Sequence, residues 1–304
     1  MNHELIIKNM KKLIITIALI CAASGFLSAQ AIHEFSAYAA GGLSTLRYQL
    51  SSGNGSGGFG GEFGAGYTYL QIRDGAVATG TVNHQSWGIH AGIGLGLYNA
   101  KAKLNNVKIV TANLNDGDVK FSNFDLHTTL SGYNENQTAM FLNIPVMAQF
   151  NISQFYVMGG IKAGIPLNGK YKSKDATLTN RAYYPELDNW AETQEFRGLG
   201  TFRGKNYDGN IDLGVSVMLS LEAGMSWSIN DNLFLYSGAY FDYGLNNVAK
   251  GDNMKFINYS ASNPENFTAN SVLSSYADDS KSTAFTDKVN TMAVGIKVRV
   301  AFRK

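Results

Sequence analysis

The residues with the clearest chemical potential are charged side chains that stand alone on small or polar faces of alternating segments. Successive side chains of an extended strand point to opposite faces, so each segment separates into an apolar and a polar face. Three carboxylates, three cations and one histidine fall on the polar faces: Glu62, His90, Lys162, Glu222, Asp242, Lys297 and Arg299. Because an unpaired buried charge is costly, we predict that Lys297 and Arg299 meet Glu62, Glu222 or Asp242. The set would form a structural plug or, by exchange of partners, a gated ion path.

Eight alternating segments must position these charges. They are Glu34–Leu50, Phe59–Tyr69, Trp87–Leu97, Met140–Phe150, Phe155–Leu167, Leu213–Ser228, Leu233–Leu245 and Asn290–Phe302. In the last segment Val294, Ile296 and Val298 share one face, whereas Lys297 and Arg299 share the other. Apolar side chains outside and polar side chains inside are typical of a membrane barrel. We therefore predict an all-β, antiparallel, up-and-down transmembrane β-barrel of about eight strands, with a lumen that is filled by side chains.

Composition and connection lengths agree with this fold. Charged residues make up 16% of the 304 residues, and the net charge of +2 predicts no nucleic-acid partner. Short turns at 151–154 and 230–232 alternate with long polar connections at 104–137, 168–209 and 248–286. Short periplasmic turns and long extracellular loops alternate in this way in outer-membrane barrels. Two connections, 51–58 and 71–85, depart from the rule.

The first 31 residues read as a secretory signal peptide. Lys8, Lys11 and Lys12 precede an apolar run, and small residues follow it around Ala29. Met10 is a second candidate start. We predict a signal peptide at 1–31 and a single barrel domain at 32–304, exported to the outer membrane of a Gram-negative bacterium. Its partners would include outer-membrane lipids.

Aromatic residues collect at the short-turn ends of the predicted strands. Rings of this kind form girdles at the boundary between membrane and water. The predicted girdle consists of Tyr69, Trp87, Phe150, Phe155, Trp227, Phe234 and Phe302.

The long connections are rich in rings and are the candidate binding elements. Tyr183, Tyr184, Trp190 and Phe196 lie in the connection 168–209, and we expect them to bind an extracellular protein or a glycan. Pro185-Glu186 predicts a helical turn. Ser262-Asn263-Pro264-Glu265 reads as a capping box that predicts a short helix over Phe267–Tyr276.

Several short sequences resemble a known family. Phe141-Leu142-Asn143-Ile144-Pro145-Val146, Phe155-Tyr156-Val157-Met158-Gly159-Gly160, Tyr243-Gly244-Leu245-Asn246-Asn247 and Val294-Gly295-Ile296 are similar to the outer membrane β-barrel or porin family proteins of Bacteroidetes, which include the PorT-like barrels. The resemblance implies a barrel of about eight strands in the outer membrane of the cell envelope. It supplies no catalytic residues.

Catalytic and metal-binding alternatives have weak support in the sequence. His127 and Ser131 lie near Asp125 and Glu135, a set that could serve a lipid-modifying enzyme at the barrel rim, but the spacing matches no nucleophile motif. No cysteine and histidine cluster predicts a metal, and we expect no cofactor. We predict a non-enzymatic barrel whose loops bind a partner. The alternatives are a narrow gated pore, the rim enzyme and an accessory barrel of a secretion machinery.

Overall fold

The computed structural model describes residues 31–74, 84–115, 123–250, 254–260, 263, 267–276 and 284–304. The predicted signal peptide lies outside these residues, apart from Ala31. Within the described ranges the chain forms β1 (Ala31–Arg47), β2 (Asn54–Gly57), β3 (Phe59–Asp74), β4 (His84–Leu104), β5 (Val107–Leu114), β6 (Phe124–Ser131), β7 (Tyr133–Ile152), β8 (Phe155–Lys174), β9 (Ala176–Tyr184), β10 (Asn189–Ala191), β11 (Gly200–Lys205), β12 (Asp208–Asn210), β13 (Ser216–Ser228), β14 (Leu233–Gly244), β15 (Met254–Lys255), β16 (Ile257–Asn258), β17 (Thr268–Ala269), β18 (Ser275–Tyr276) and β19 (Asn290–Arg303).

Eight of these strands close into a ring. The order is β1, β3, β4, β7, β8, β13, β14 and β19, and every neighbouring pair is antiparallel. The ring closes between β19 and β1, from Glu34 opposite Arg303 to Arg47 opposite Asn290. The prediction of an antiparallel up-and-down barrel of about eight strands is confirmed.

Neighbouring residues of the ring strands have opposite environments. Phe63 and Ile296 are exposed on the outer surface, whereas the adjacent Glu62 and Lys297 are buried inside. This alternation follows from the two-residue period of a strand. An apolar exterior around a charged interior is the inverse of a soluble sheet and matches a hydrocarbon environment.

The two ends of the ring differ in their connections. At one end, the turn end, β7 joins β8 and β13 joins β14 through a few residues. The Asn230 side chain accepts the backbone N–H groups of Asn232 (3.1 Å) and Leu233 (2.8 Å), which holds the second turn closed. Most of the predicted turn between β3 and β4 lies outside the described residues.

At the opposite end, the loop end, two connections build a second sheet instead of polar loops. This sheet, the loop sheet, has the order β10-β9-β6-β5, and β11 also pairs with β9. The predicted loops 104–137 and 168–209 therefore contain much more strand than expected. Leu126, Leu130 and Leu178 alternate with polar residues and are buried on one face of the sheet, so the connections carry their own two-residue period.

The last long connection folds over the mouth of the ring at the loop end. Its described residues 254–260, 267–276 and 284–289 form a segment that we call the cap. Phe256 packs against Phe285 and Tyr133, with ring centroids 4.9 and 5.4 Å apart. The burial of these rings extends the apolar core from the barrel mouth into the cap.

The predicted helix over Phe267–Tyr276 is wrong, whereas the segment that begins at Pro185-Glu186 forms a single turn. Phe267–Tyr276 contains β17, a turn and β18, because its side chains pack into the cap core. Of the predicted capping box, only Asn263 is described. Pro185-Glu186 lies in a turn closed by the bond from Leu187 N–H to the Tyr184 carbonyl (3.1 Å). A short 3-10 turn occurs at Glu195–Arg197. None of the described segments forms a helix long and apolar enough to cross a membrane.

Candidate functional site

The centre of the lumen holds one ammonium group between two carboxylates. Lys162 Nζ on β8 lies 3.1 Å from Glu62 Oε2 on β3 and 2.7 Å from Asp242 Oδ2 on β14. Tyr38 and Asn143 donate further hydrogen bonds to Glu62, at 2.6 and 2.5 Å. The side chains come from strands far apart in sequence, and the inward period of each strand brings them together.

A second ion pair lies nearer the turn end. Lys297 Nζ on β19 lies 2.8 Å from Glu222 Oε2 on β13, and the Tyr156 hydroxyl donates to Glu222 Oε1 at 2.8 Å. The same ammonium group lies 4.3 Å from the centre of the Tyr38 ring. Tyr38 therefore connects the two charged clusters.

Arg299 departs from the predicted arrangement, since its described contacts include no carboxylate. Its guanidinium donates to Gln149 Oε1 at 3.3 Å and lies 3.4 Å from His90 Nδ1. It also stacks over the Tyr236 ring, 4.2 Å from the ring centre. Because Lys297 is paired with Glu222, Arg299 contacts neutral and aromatic side chains. Arg299 is buried, with only 1% of its surface exposed.

A further ion pair, at the turn end, was not predicted from the sequence. Arg303 Nε donates to Glu34 Oε1 at 2.5 Å, and the Tyr236 hydroxyl donates to the same oxygen at 2.7 Å. Arg303 lies one residue beyond the predicted strand, yet it has the inward parity of Lys297 and Arg299. Continuing the alternation by one residue would have found it.

The described lumen between the turn end and the Lys162 cluster is electrically balanced and filled. Its carboxylates are Glu34, Glu62, Glu222 and Asp242, and its cations are Lys162, Lys297, Arg299 and Arg303. Large buried side chains, including Tyr98, Tyr156 and Tyr236, occupy the remaining cross-section. A barrel of eight strands is just wide enough to be filled in this way.

The predicted aromatic girdle occupies the outer face at the turn end, with one exception. The outward members are Tyr69, Trp87, Phe150, Phe155, Trp227 and Phe302. Phe234 points inward, because it shares the parity of Tyr236 on β14. It packs near Met147 and Tyr156, and the Arg303 guanidinium lies 3.5 Å from its ring centre.

The loop sheet presents a polar and aromatic face on the side away from its core. Register places Asp125 opposite Tyr183 and His127 opposite Arg181, and Trp190 lies opposite Tyr183 on the next strand. The Trp190 ring lies 4.7 Å from the Arg181 guanidinium, 5.0 Å from the Tyr183 ring and 4.8 Å from the His127 ring. These four side chains form a continuous patch, in which Arg181 and Trp190 are exposed and His127 and Tyr183 are half-buried, and which we call the aromatic patch.

The other two predicted loop residues take different positions. Tyr184 is buried against Phe124, with ring centroids 5.5 Å apart, because it has the inward parity of β9. Tyr184 is therefore part of the loop-sheet core. A partner cannot reach its side chain, so the prediction that Tyr184 is a binding residue is wrong. Phe196 is 67% exposed and lies beside the sheet.

Comparison with known proteins places this architecture in a family. A sequence profile of the outer membrane protein β-barrel domain matches residues 59–250, which is more than half of the chain. The chain belongs to the outer membrane protein β-barrel domain family. Among solved structures, a major outer membrane protein from Thermus thermophilus is similar at 10% identity, with a TM-score of 0.29 over 90% of this chain and 99% of that one. A search of curated proteins gives no match.

The candidate catalytic residues of this outer membrane barrel do not converge. Ser131 Oγ donates to Asn106 Oδ1 at 3.0 Å, whereas His127 packs on Trp190. Asp125 accepts the Asn113 backbone N–H at 2.9 Å. Among the described residues, no group of three or more histidine, cysteine, aspartate and glutamate side chains is placed to hold a metal ion.

Glu135 connects the cap to the barrel through hydrogen bonds. It lies on the extension of β7 at the loop end, five residues beyond Met140, and is fully buried. Its carboxylate accepts Ser271 Oγ (2.5 Å), Val272 N–H (3.1 Å) and the Tyr133 hydroxyl (2.6 Å). Burial raises the pKa of the Glu135 carboxyl, and these hydrogen bonds offset only part of that rise.

The raised pKa of Glu135 predicts that the attachment of the cap to the barrel is more stable at acidic pH. The folded state binds the proton more strongly than the unfolded state, so stability falls as pH rises from the ordinary carboxyl value of 4.5 through the folded pKa. We expect hydrogen exchange of residues 267–276 to rise with pH beyond its intrinsic increase. The variant Glu135→Gln corrects for that intrinsic increase, since its side chain does not titrate. Equal pH profiles in the two proteins would contradict the prediction.

Proposed function

We propose that this outer membrane barrel is a non-catalytic, non-conducting protein that uses its loop sheet to bind an extracellular protein or glycan. The observation that carries the proposal is the aromatic patch. Trp190, Tyr183, Arg181 and His127 face away from the core of the loop sheet, and Trp190 is 41% exposed although tryptophan is highly buried on average. Exposed clusters of Trp, Tyr and Arg are enriched at binding surfaces.

The filled lumen supports the non-conducting part of the proposal. The charges of the described lumen between the turn end and Lys162 are paired or stacked on rings, and the cap packs on the core at the loop end. An ion would have to displace several buried side chains to pass. The scattered positions of Ser131 and His127 support the non-catalytic part.

The export route, the host and the orientation of the barrel are also part of the proposal. We infer export by the signal peptide at 1–31, a Gram-negative host of the Bacteroidetes type, and a loop end that faces the cell exterior. The aromatic girdle at the turn end and the long strand extensions at the loop end support this orientation.

A binding screen tests the proposed function. The detergent-folded barrel is applied to arrays of extracellular proteins and of glycans, beside a variant in which Arg181, Tyr183 and Trp190 are changed to serine. We expect binding to one class by the parent protein and its loss in the triple variant, with the same heat-modifiable gel mobility in both. A parent protein that binds neither class would contradict the proposal.

Planar-bilayer recording tests the non-conducting lumen. We expect no discrete conductance steps, because charged and aromatic side chains fill the cross-section. Heat-modifiable mobility shows that the protein is folded, and its flotation with the lipid vesicles that are fused to the bilayer shows that it is inserted, so silence does not reflect failed insertion. Discrete steps that change in the variant Lys297→Met would favour the alternative function, a narrow gated pore.

One observation favours that alternative. Arg299 Nε is buried and has no hydrogen-bond partner among the described residues. Exchange of Glu222 from Lys297 to Arg299 would rearrange the charges of the lumen. Such an exchange is the gating step that the sequence suggested.

A further inference from the structure

A cleft runs beside the aromatic patch, on the exposed side of the loop sheet. Its volume is about 520 Å³, within the range of small-ligand sites. Its lining includes Thr179, Thr201, Arg181, Glu192, Glu195 and Phe196. Strands β9 and β11 supply one wall, and the segment after β10 supplies the other.

The hydrogen-bonding groups of the cleft both donate and accept. The hydroxyls of Thr179 and Thr201 lie 3.2 Å apart, and either can be the donor. Arg181 and Glu192 form an ion pair, yet their side chains remain 46% and 55% exposed. A guanidinium beside carboxylates matches vicinal hydroxyl groups, because each hydroxyl donates one hydrogen bond and accepts others.

The charge balance of the cleft disfavours anionic ligands. Among the described lining residues the cation is Arg181, which is already paired with Glu192, and Glu195 adds a second carboxylate. Arg197, whose guanidinium lies 5.7 Å from the centre of the Phe196 ring, balances Glu195, so a phosphate, sulfate or uronate group would meet no net positive charge. The groove suits a ligand that carries no charge but many hydroxyls.

An exposed ring completes the site. Phe196 is the large apolar side chain of the described cleft lining and is 67% exposed. The flat C–H face of a pyranose ring covers such a side chain, while its hydroxyls reach the polar wall. The Arg181 guanidinium, held 4.7 Å from the Trp190 ring, is oriented before any ligand arrives.

We propose that this cleft binds a neutral oligosaccharide. The inference rests on the proposed function, since it names the class of ligand that the loop sheet binds. It places the sugar over Phe196, with hydroxyls on the Thr179 and Thr201 pair and on Arg181 with Glu192.

Glycan and peptide arrays test this proposal on the full-length folded barrel. The arms are neutral glycans, uronate-containing or sulfated glycans, and basic peptides, each at low and high salt. We expect binding to a neutral glycan that is insensitive to salt, because no net charge is neutralised. The variant Phe196→Ala should weaken this binding by at least about tenfold. The control Phe59→Ala, in which the lost ring is 83% exposed but lies on ring strand β3 and does not line the cleft, should bind like the parent protein.

The outcomes separate this proposal from the one on which it rests. Salt-sensitive binding to acidic glycans or basic peptides alone would overturn the neutral-glycan assignment and leave a binding function in place. The same holds for a neutral glycan that binds equally well to Phe196→Ala. No binding in any arm, together with no binding to extracellular proteins, would overturn both.

Discussion

Replacing Lys162 with methionine is expected to lower the free energy of unfolding of the barrel by about 3–5 kcal/mol. The change keeps most of the side-chain volume but removes the ammonium group between Glu62 and Asp242, at 3.1 and 2.7 Å. Two buried carboxylates would then face each other without a cation. Urea titration in detergent micelles, with the folded fraction read from unheated gel mobility, measures the change.

Two further variants test whether the loss of stability is specific to the Lys162 site. Lys170→Met is the same substitution on the same strand, at an exposed position, and should leave the urea midpoint unchanged. Adding Glu62→Gln and Asp242→Asn to Lys162→Met should recover part of the loss, because the triple variant buries no charge at this site. Equal midpoints for Lys162→Met and Lys170→Met would show that the central cluster contributes nothing to stability.

Replacing Ile296 with arginine is expected to destabilise the membrane-inserted barrel by about 2–4 kcal/mol. Ile296 lies near the middle of β19, opposite Gly41 and Ala239, and is 65% exposed on the outer face. In water an exposed isoleucine tolerates this change, whereas in hydrocarbon a guanidinium is costly. Folding into lipid vesicles, followed by denaturant titration, measures the difference.

The comparison needs an exposed apolar residue outside the membrane. Leu187 is 54% exposed in the turn between β9 and β10 of the loop sheet, and Leu187→Arg should fold like the parent protein. If Ile296→Arg were as stable as Leu187→Arg in vesicles, the outer face of β19 would not contact lipid.

The ring strands were predictable because their signal is local. The alternation of apolar and polar residues assigns each side chain to a face, and it placed Glu62, Lys162 and Lys297 inside without any knowledge of their partners. The same rule assigns Phe234 inside. Phe234 was predicted in the girdle because it lies at a strand end, but its parity within β14 determines the face on which it lies.

The ion-pair partners in the lumen and the structure of the loops were harder to predict from the sequence. Whether Lys297 or Arg299 takes Glu222 depends on the relative register of β13, β14 and β19, which no single strand encodes. The loop sheet joins β6 and β9 from two separate connections, so its hydrogen bonds are long-range. The predicted helix over Phe267–Tyr276 followed a local capping signal, but burial of Phe267 and Val272 in the cap core favoured strands.

The seam between β1 and β19 determines when the barrel can be completed. These are the first and last ring strands in chain order, and the backbone groups of His33 and Lys304 bond each other at 3.4 and 3.0 Å. Until β19 is available, β1 and β14 each present a row of unpaired N–H and C=O groups that lipid cannot satisfy. Closure must therefore wait for the last strand, and a chain that inserts strand by strand would need its two open edges shielded until β19 pairs with β1.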